Sequence, residues 1–224
     1  MNSEASTPTE GLKLVPESPV PSSSGTTRDA SDGRIALRLR NRQRVIDALV
    51  ALVDDGNISP TMEEIVERAG VSERSIFRYF TDLPDLSVSA IRTVVERAEP
   101  LHVIDDIGEG SLEHRIDQMI AARLRVAERT HSFGTLARRK LALAPEIQQA
   151  ITNVIDLARE QFAEQFAPEF AAMTEEDAAA VSDLLVALFS YESLDVVWHQ
   201  LGNDLEGVAQ RWRRMMTALL APHS

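Results

Sequence analysis

From residue 34 onward, apolar side chains recur at three- and four-residue intervals. Ile35, Leu39, Ile46, Leu49, Val50 and Val53 fall near one face at 100° per residue, with Arg38, Arg40 and Arg44 off its centre. This spacing predicts a helix that ends at "DDGN", where Gly56 and Asn57 supply the terminator. Thr61 and Glu64 then stand at capping-box spacing, and Met62, Ile65, Val66 and Ala69 share a face as far as Gly70. Ser72 is placed to cap a third helix through Phe80. Asp82 is placed to cap a fourth, with Pro84 in its first turn, reaching about Glu99. Beyond Pro100 the periodic stretches lengthen. Helices are expected over about 111–130, over "FGTLARRKLAL" at 133–143, and over 145–166. Two more follow, one over 174–202 opened by Thr174 with Asp177 three residues on, and one over 204–220. None of these segments reads as a strand, so the expected fold class is all-α.

The pattern also divides the chain. Residues 1–32 are rich in Pro, Ser, Thr and Glu, hold four of the ten prolines and lack any period, so a disordered tail is expected there. Residues 33–82 are expected to form a helix-turn-helix domain of three short helices, and 83–224 a separate helical domain. "RAGVS" is the turn. Gly70 is free to take a positive φ, Val71 drops inward and Ser72 starts the next helix. On that helix Ile76 and Phe80 face inward, which leaves Glu73, Arg74, Ser75, Phe77, Arg78 and Tyr79 outside or at the rim. An exposed Phe-Arg-Tyr run is costly unless something covers it. A DNA major groove would do so, because arginine pairs with guanine edges and apolar rings meet thymine methyls. The plainer alternative packs Phe77 and Tyr79 on the fourth helix and leaves Arg74 and Arg78 in water.

Charge sharpens this picture. The net charge of −12 argues against a nucleic-acid partner until its distribution is considered. Residues 34–44 carry five arginines and no acid, whereas residues 91–224 hold 13 basic and 21 acidic residues. The 224-residue chain has no cysteine, which excludes disulfides, thiol catalysis and cysteine-bound zinc. No secretory signal and no apolar run of spanning length is present, so a cytoplasmic protein with no membrane contact is expected. The five histidines form no close metal-ligand pattern, and P-loop, dinucleotide and nucleophile-elbow motifs are absent. No metal, cofactor or catalytic residue is expected. His131 and His199 read as structural histidines, and "ARRK" at 137–140 as a solvated face.

"TMEEIVERAGVSERSIFRYFTDLPDL" resembles the DNA-binding signature of the TetR family of bacterial transcriptional regulators, with Thr61, Ile65, Ala69, Gly70, Val71, Ser72, Phe77, Tyr79 and Phe80 at matching positions. "RQRVIDALVALV" resembles the family's first helix, and the likeness covers roughly 38–90. It implies a two-fold homodimer on a palindromic double-stranded operator. Glu73, Arg74, Ser75 and Phe77 then face bases, while Thr61, Arg78 and Tyr79 approach phosphates. Ser72 and Thr61 cap helices whose first amides also meet phosphate oxygens. The chain departs from the pattern at Leu83, where many members have lysine, at Val66 for alanine, and at Phe77 for tyrosine. Glu63 and Glu73 bring negative charge near the DNA, which Arg34, Arg38, Arg40, Arg42 and Arg44 are placed to offset.

The penultimate predicted helix is apolar on more than one face and must be buried on more than one side, whether in a large monomer core or against a partner. The resemblance implies a four-helix interface between subunits, for which Leu184, Leu188, Val197, Trp212, Met216 and Leu219 are the candidates. It also implies a pocket for an unidentified small-molecule effector, with Met119, Arg123, Phe162, Tyr191, Glu192 and Trp198 as candidate lining. The expected function is a homodimeric repressor released from its operator by that effector. Two alternatives are a TetR-like interaction protein whose DNA contacts are vestigial or non-specific, and a helical enzyme or small-molecule binder.

Overall fold

The computed structural model describes residues 26–140 and 145–221, with side chains over 32–138 and 145–221. Most of the predicted tail lies outside the described residues. Contacts divide the chain at Leu39/Arg40. The first helix, α1, runs Thr26–Asp54 and so starts before the predicted residue 34. Ile35 and Leu39 were expected on its core-facing side but are exposed; the buried stripe begins at Val45 and continues through Ile46, Leu49 and Val53.

Three helices follow with the caps that their sequences predict. They are α2 (Met62–Ala69), α3 (Glu73–Phe77) and α4 (Leu83–Ala98). Thr61, Ser72 and Asp82 each accept an amide hydrogen bond from the first turn, and Pro84 occupies the opening turn of α4. Helix α3 is one turn shorter than its pattern suggests, because the chain turns at Arg78–Tyr79 to bring Phe80 into the core. A 3₁₀ turn, Glu99–His102, ends this region.

The long helix α5 (Leu112–Lys140) replaces the two expected between 111 and 143. No capping residue or proline interrupts it, and Phe133, Leu136 and Ala137 continue its buried face. Helices α6 (Pro145–Gln165) and α7 (Ala167–Ala171) come next; α6 matches the expected 145–166, whereas α7, with Pro168 in its first turn, lies beyond it and was not expected. The expected helix over 174–202 is also broken. Helix α8 (Glu175–Leu188) stops, Ser190 accepts from the Ser193 amide to start α9 (Tyr191–Asp195), and a π turn follows at Val196–Gln200. Helix α10 (Leu205–Leu220) closes the chain under an Asp204 cap. The described residues form helices and no strands, so the all-α expectation stands. None of the described helices is long and apolar enough to cross a membrane.

Beyond Leu39, two apolar clusters organise the chain. The first joins Val45–Val53 of α1, Ile65, Ala69, Ile76, Phe80 and the inner face of α4 to Phe133, Leu136 and Ala137 of α5. The second gathers Ile116, Met119 and Ile120 of α5 with Phe162, Phe166, Leu185, Trp212 and Met216. Helix α5 therefore contributes to both. Its N-terminal turn is fastened by Arg115, whose Nη1 and Nη2 each donate to the Glu169 carboxylate at 2.7 Å, with Nη1 also donating to the Gln165 carbonyl at 2.7 Å. Gln165, fully buried, answers through its amide to the Arg115 carbonyl at 2.8 Å and accepts from the Gly108 amide at 2.7 Å.

Candidate nucleic-acid interface

The reading head is built from two capped helices joined at Gly70. A capping box locks the start of α2: the Thr61 amide and hydroxyl donate to Glu64 Oε2 at 2.7 and 2.9 Å, and the Glu64 amide donates back to Thr61 Oγ1. The Thr61 amide, its hydroxyl and the Asn57 side chain hold the Glu64 carboxyl below its usual range. At the other end Gly70 takes φ 63°, ψ 34°, and its amide donates to the Val66 carbonyl. A Cβ there would also stand 3.3 Å from Arg44 Nη2, which donates to the Ala69 carbonyl at 2.9 Å. Glycine thus serves both the left-handed turn and the approach of Arg44.

Ser72 opens α3, its Oγ accepting from the Ser75 amide at 3.3 Å and lying 2.9 Å from Ser75 Oγ. Ile76 and Phe80 are buried beneath the helix, as their spacing predicts. The opposite side presents Glu73, Arg74 and Phe77, the phenylalanine ring 51% exposed. Phe77 therefore stands outside the head's apolar cluster. Tyr79 does pack against the head's core, and its hydroxyl accepts from Arg78 Nη2 at 2.8 Å while the guanidinium lies 5.1 Å from the ring centre. The α4 amides are organised by Asp82 and Asp85, the latter accepting from the Thr81 amide at 2.8 Å.

The arginine cluster separates into two kinds. Arg38 and Arg40 are exposed, whereas Arg42 donates to Ser89 Oγ at 3.0 Å with its guanidinium 4.8 Å from the Phe80 ring centre. Arg42 pins α1 to α4, and Arg44 pins α1 to the C-terminus of α2. Sequence spacing offered no sign of these structural duties. Leu83, where a phosphate-binding lysine was expected, packs against the head's core, as does Val66.

Further along the chain, the candidate interface and pocket residues do not all behave as expected. Trp212 (1% exposed) and Met216 are buried inside the subunit, where an indole and a thioether of that size fill the second cluster and offer a partner no surface. Leu188 is also largely buried. Leu184, in contrast, is 52% exposed and Met215 49%. With Ala187, Leu188, Ser193, Ala218 and Leu219 they line an open apolar groove of about 440 Å³ along α8 and α10. The other main hollow, about 180 Å³, lies between α4 and α6 at Val88, Ile91, Val95 and Ile147.

Neither hollow is lined by a candidate effector residue. Met119 and Phe162 are fully packed. Arg123, 8% exposed, donates to Gln161 Oε1 at 2.7 Å and lies 3.4 Å from His102 Nδ1, with Phe162 5.3 Å from its guanidinium. Burial pushes Arg123 down to about 10, and burial followed by the Arg123 charge lowers His102. Tyr191, Glu192 and Trp198 are brought instead to the flank of α5. Tyr191 hydrogen-bonds Thr135 and lies beneath Arg138, whose Nε pairs with Glu192. Gly134 makes this possible, since a Cβ there would collide with the Tyr191 ring. Within this cluster the fold brings together histidines in which the sequence shows no close metal-ligand pattern: His131 and His199 stack with ring centres 4.1 Å apart and an interplanar angle of 9°. Burial, then the neighbouring His199, lowers His131 against an opposing pull from Asp195.

Comparison with known proteins agrees with the head's geometry. Residues 45–83 match the family described as "Bacterial regulatory proteins, tetR family". No curated protein matches the chain by sequence. Among solved structures, a transcriptional regulator from Rhodococcus sp. Rha1 is 17% identical over 80% of this chain and 95% of its own, with a TM-score of 0.62. The fatty acid degradation regulator FadR from Bacillus halodurans gives 14%, 78%, 93% and 0.58 in the same order. A multidrug binding protein, EbrR, solved with imidazole, gives 20%, 82%, 96% and 0.53. These structures share the helical fold along nearly their whole length, and the matched residues 45–83 are those that form the capped, glycine-jointed head. Residues 45–83 thus carry the tetR-family match on the capped, glycine-jointed head, and the chain shares its helical fold with these solved structures.

Proposed function

We propose that the protein is a homodimeric repressor that binds a palindromic operator and is released by a small-molecule effector. Its tail would comprise 1–32, its reading domain 33–82 and its effector and dimerisation domain 83–224. The observation that carries this reading is the face of α3: Arg74 and a half-exposed Phe77 stand out from a helix whose other side is anchored by fully buried Ile76. A solvated face has no use for an aromatic ring there, whereas a major groove covers it. Glu73, Arg74, Ser75 and Phe77 are assigned to bases. Thr61, Ser72, Arg78 and Tyr79 are assigned to phosphates, with Arg78 already oriented by the Tyr79 hydroxyl.

The groove along α8 and α10 supports the dimer, because a second copy would cover the exposed apolar side chains around it, Leu184 and Met215 among them, by an isologous contact across a two-fold axis. Val197 packs against the second cluster, so it is assigned a supporting role. Arg123, Tyr191, Glu192 and Trp198 remain the proposed effector contacts, and Met119 and Phe162 the wall behind Arg123.

Selection of bound sequences from a random duplex pool tests the reading. A palindromic consensus with half-sites about one DNA turn apart, or a multiple of it, is the expected result. Weak, salt-sensitive binding without a consensus would instead favour a vestigial or non-specific interaction protein. Within the recovered site, Arg74→Ala is expected to cost about 1–3 kcal/mol and relax base choice at one position per half-site. Equal losses on specific and random duplexes would remove Arg74 from base recognition.

The two kinds of arginine give a second prediction. Arg40→Ala should weaken binding to all sequences and flatten the dependence of log affinity on log salt by about one unit. Arg44→Ala should leave that slope in place and lower the unfolding free energy by roughly 0.5–1.5 kcal/mol, since it removes the bond to the Ala69 carbonyl. Filter binding across a salt series and urea titration separate the two.

A further inference from the structure

The cluster on the flank of α5 carries an arrangement that the regulator's reading head does not use. His131 comes from α5, Asp195 from the end of α9 and His199 from the π turn, and one donor atom of each lies within 4.8 Å of the others. We propose that His131, Asp195 and His199 form a binding site for a divalent late first-row transition-metal ion of the zinc or cobalt type.

Three observations support it. The first is donor chemistry: two imidazoles and one carboxylate are a set that such ions take, leaving further positions for water, whereas magnesium and calcium prefer oxygen donors. The second is an unmet need. His131 Nδ1 is buried without a partner, and Nε2 stands 3.8 Å from Asp195 Oδ1, beyond hydrogen-bond reach. An orphaned Nδ1 on a half-buried ring in a packed cluster calls for an explanation. Ligation through Nδ1 would meet that need, and ligation through Nε2 would use the nitrogen that faces Asp195.

The third is backbone geometry. The π turn at Val196–Gln200 closes with the Leu201 amide on the Val196 carbonyl at 2.9 Å, and it places His199 alongside the α5 residue rather than continuing α9. Such turns cost regular helix bonding and are found mostly where a side chain must be aimed. Gln200 Nε2 donates to Asp195 Oδ2 at 3.1 Å, which leaves Oδ1 toward His131. Donors about a bound ion at ~2.1 Å stand roughly 3.3 Å apart. Closing from 4.8 Å asks for side-chain rotation, which exposed His199 would supply by turning out of its stack on His131.

An ion there would join α5 to the segment after α8. Phe133, two residues beyond His131, lies in the core of the reading head, so the site is placed to influence operator binding. That consequence rests on the ligand-controlled reading above, whereas the site itself does not.

Calorimetric titration of the full-length, chelator-treated protein with Zn²⁺, without DNA, tests the site directly. One ion per chain is expected. His199→Ala and Asp195→Asn should each weaken binding by more than the roughly 10- to 100-fold that loss of a supporting group costs. His114→Ala, an exposed histidine on the first turn of α5, should change nothing. A visible absorption band from four- or five-coordinate Co²⁺, lost in His199→Ala, is the matching spectroscopic result. Equal affinity in the wild type and both ligand variants would overturn the site, as would absence of binding in all of them. Operator affinity is then measured with and without Zn²⁺: a shift seen in the wild type and not in His199→Ala supports the effector role, and an unchanged affinity with intact zinc binding overturns that role alone.

Discussion

Leu184→Asp is expected to turn the protein into a monomer in solution and to lower its affinity for a full operator by roughly 10²- to 10⁴-fold. The side chain is 52% exposed in the isolated subunit, so a carboxylate there costs the fold little. In the proposed dimer the same position lies in the apolar groove with Leu188, Met215 and Leu219, and two aspartates would face each other across the two-fold axis. Burying unpaired like charges opposes association strongly. The loss on DNA follows because each monomer must then bind its half-site alone, without the local concentration that linkage supplies. Affinity for an isolated half-site should be unchanged, which separates this outcome from a folding defect. Light scattering gives the mass, and titration of full and half operators gives the ratio. A variant that stays dimeric with undiminished operator affinity would move the interface away from α8 and α10.

The head was readable from sequence because its determinants are local. Thr61 with Glu64, Ser72 with Ser75 and Asp82 with Asp85 are capping pairs three residues apart, and each forms the bond its spacing predicts. Ile76 and Phe80 follow from helical periodicity in the same way. What escaped reading depends on distant partners. Arg42 and Arg44 look like a basic arm in sequence, yet their bonds to Ser89 and Ala69 span 47 and 25 residues. Trp212 and Met216 share an apolar face with Leu219, and periodicity cannot say whether that face meets its own subunit or another. The break after Leu188 was missed because Ser190 inside an apolar run reads as a tolerated helical serine until Tyr191 is seen lying against Gly134. The pairing of His131 with His199 rests on that break, so no spacing rule could have found it.

Arg115→Met is expected to destabilise the fold by about 3–5 kcal/mol, the range for removing one partner of a buried ion pair. Arg115 and Glu169 side chains are 5% and 14% exposed, and their two-pronged bond fixes the start of α5 to α7. Hydrogen bonding to Glu169 holds the guanidinium above its ordinary pKa, so the arginine's part in the pair is present throughout the neutral range and, on the alkaline side, is lost as arginine deprotonates. The methionine variant fills similar volume but leaves the Glu169 carboxylate and the Gln165 carbonyl without their donor. Glu169→Leu in the same chain should recover much of the loss, since two apolar side chains no longer strand a charge, although the Gln165 carbonyl stays unmet. Chemical unfolding of the wild type, both single variants and the double variant yields the coupling energy. A single-variant loss below about 1 kcal/mol, the scale of an exposed pair, would mean that water reaches Glu169 and that the clamp is a surface contact. Operator selection with Arg115→Met, at a temperature where it is folded, should return the wild-type consensus, because the residues assigned to base recognition all lie on α3.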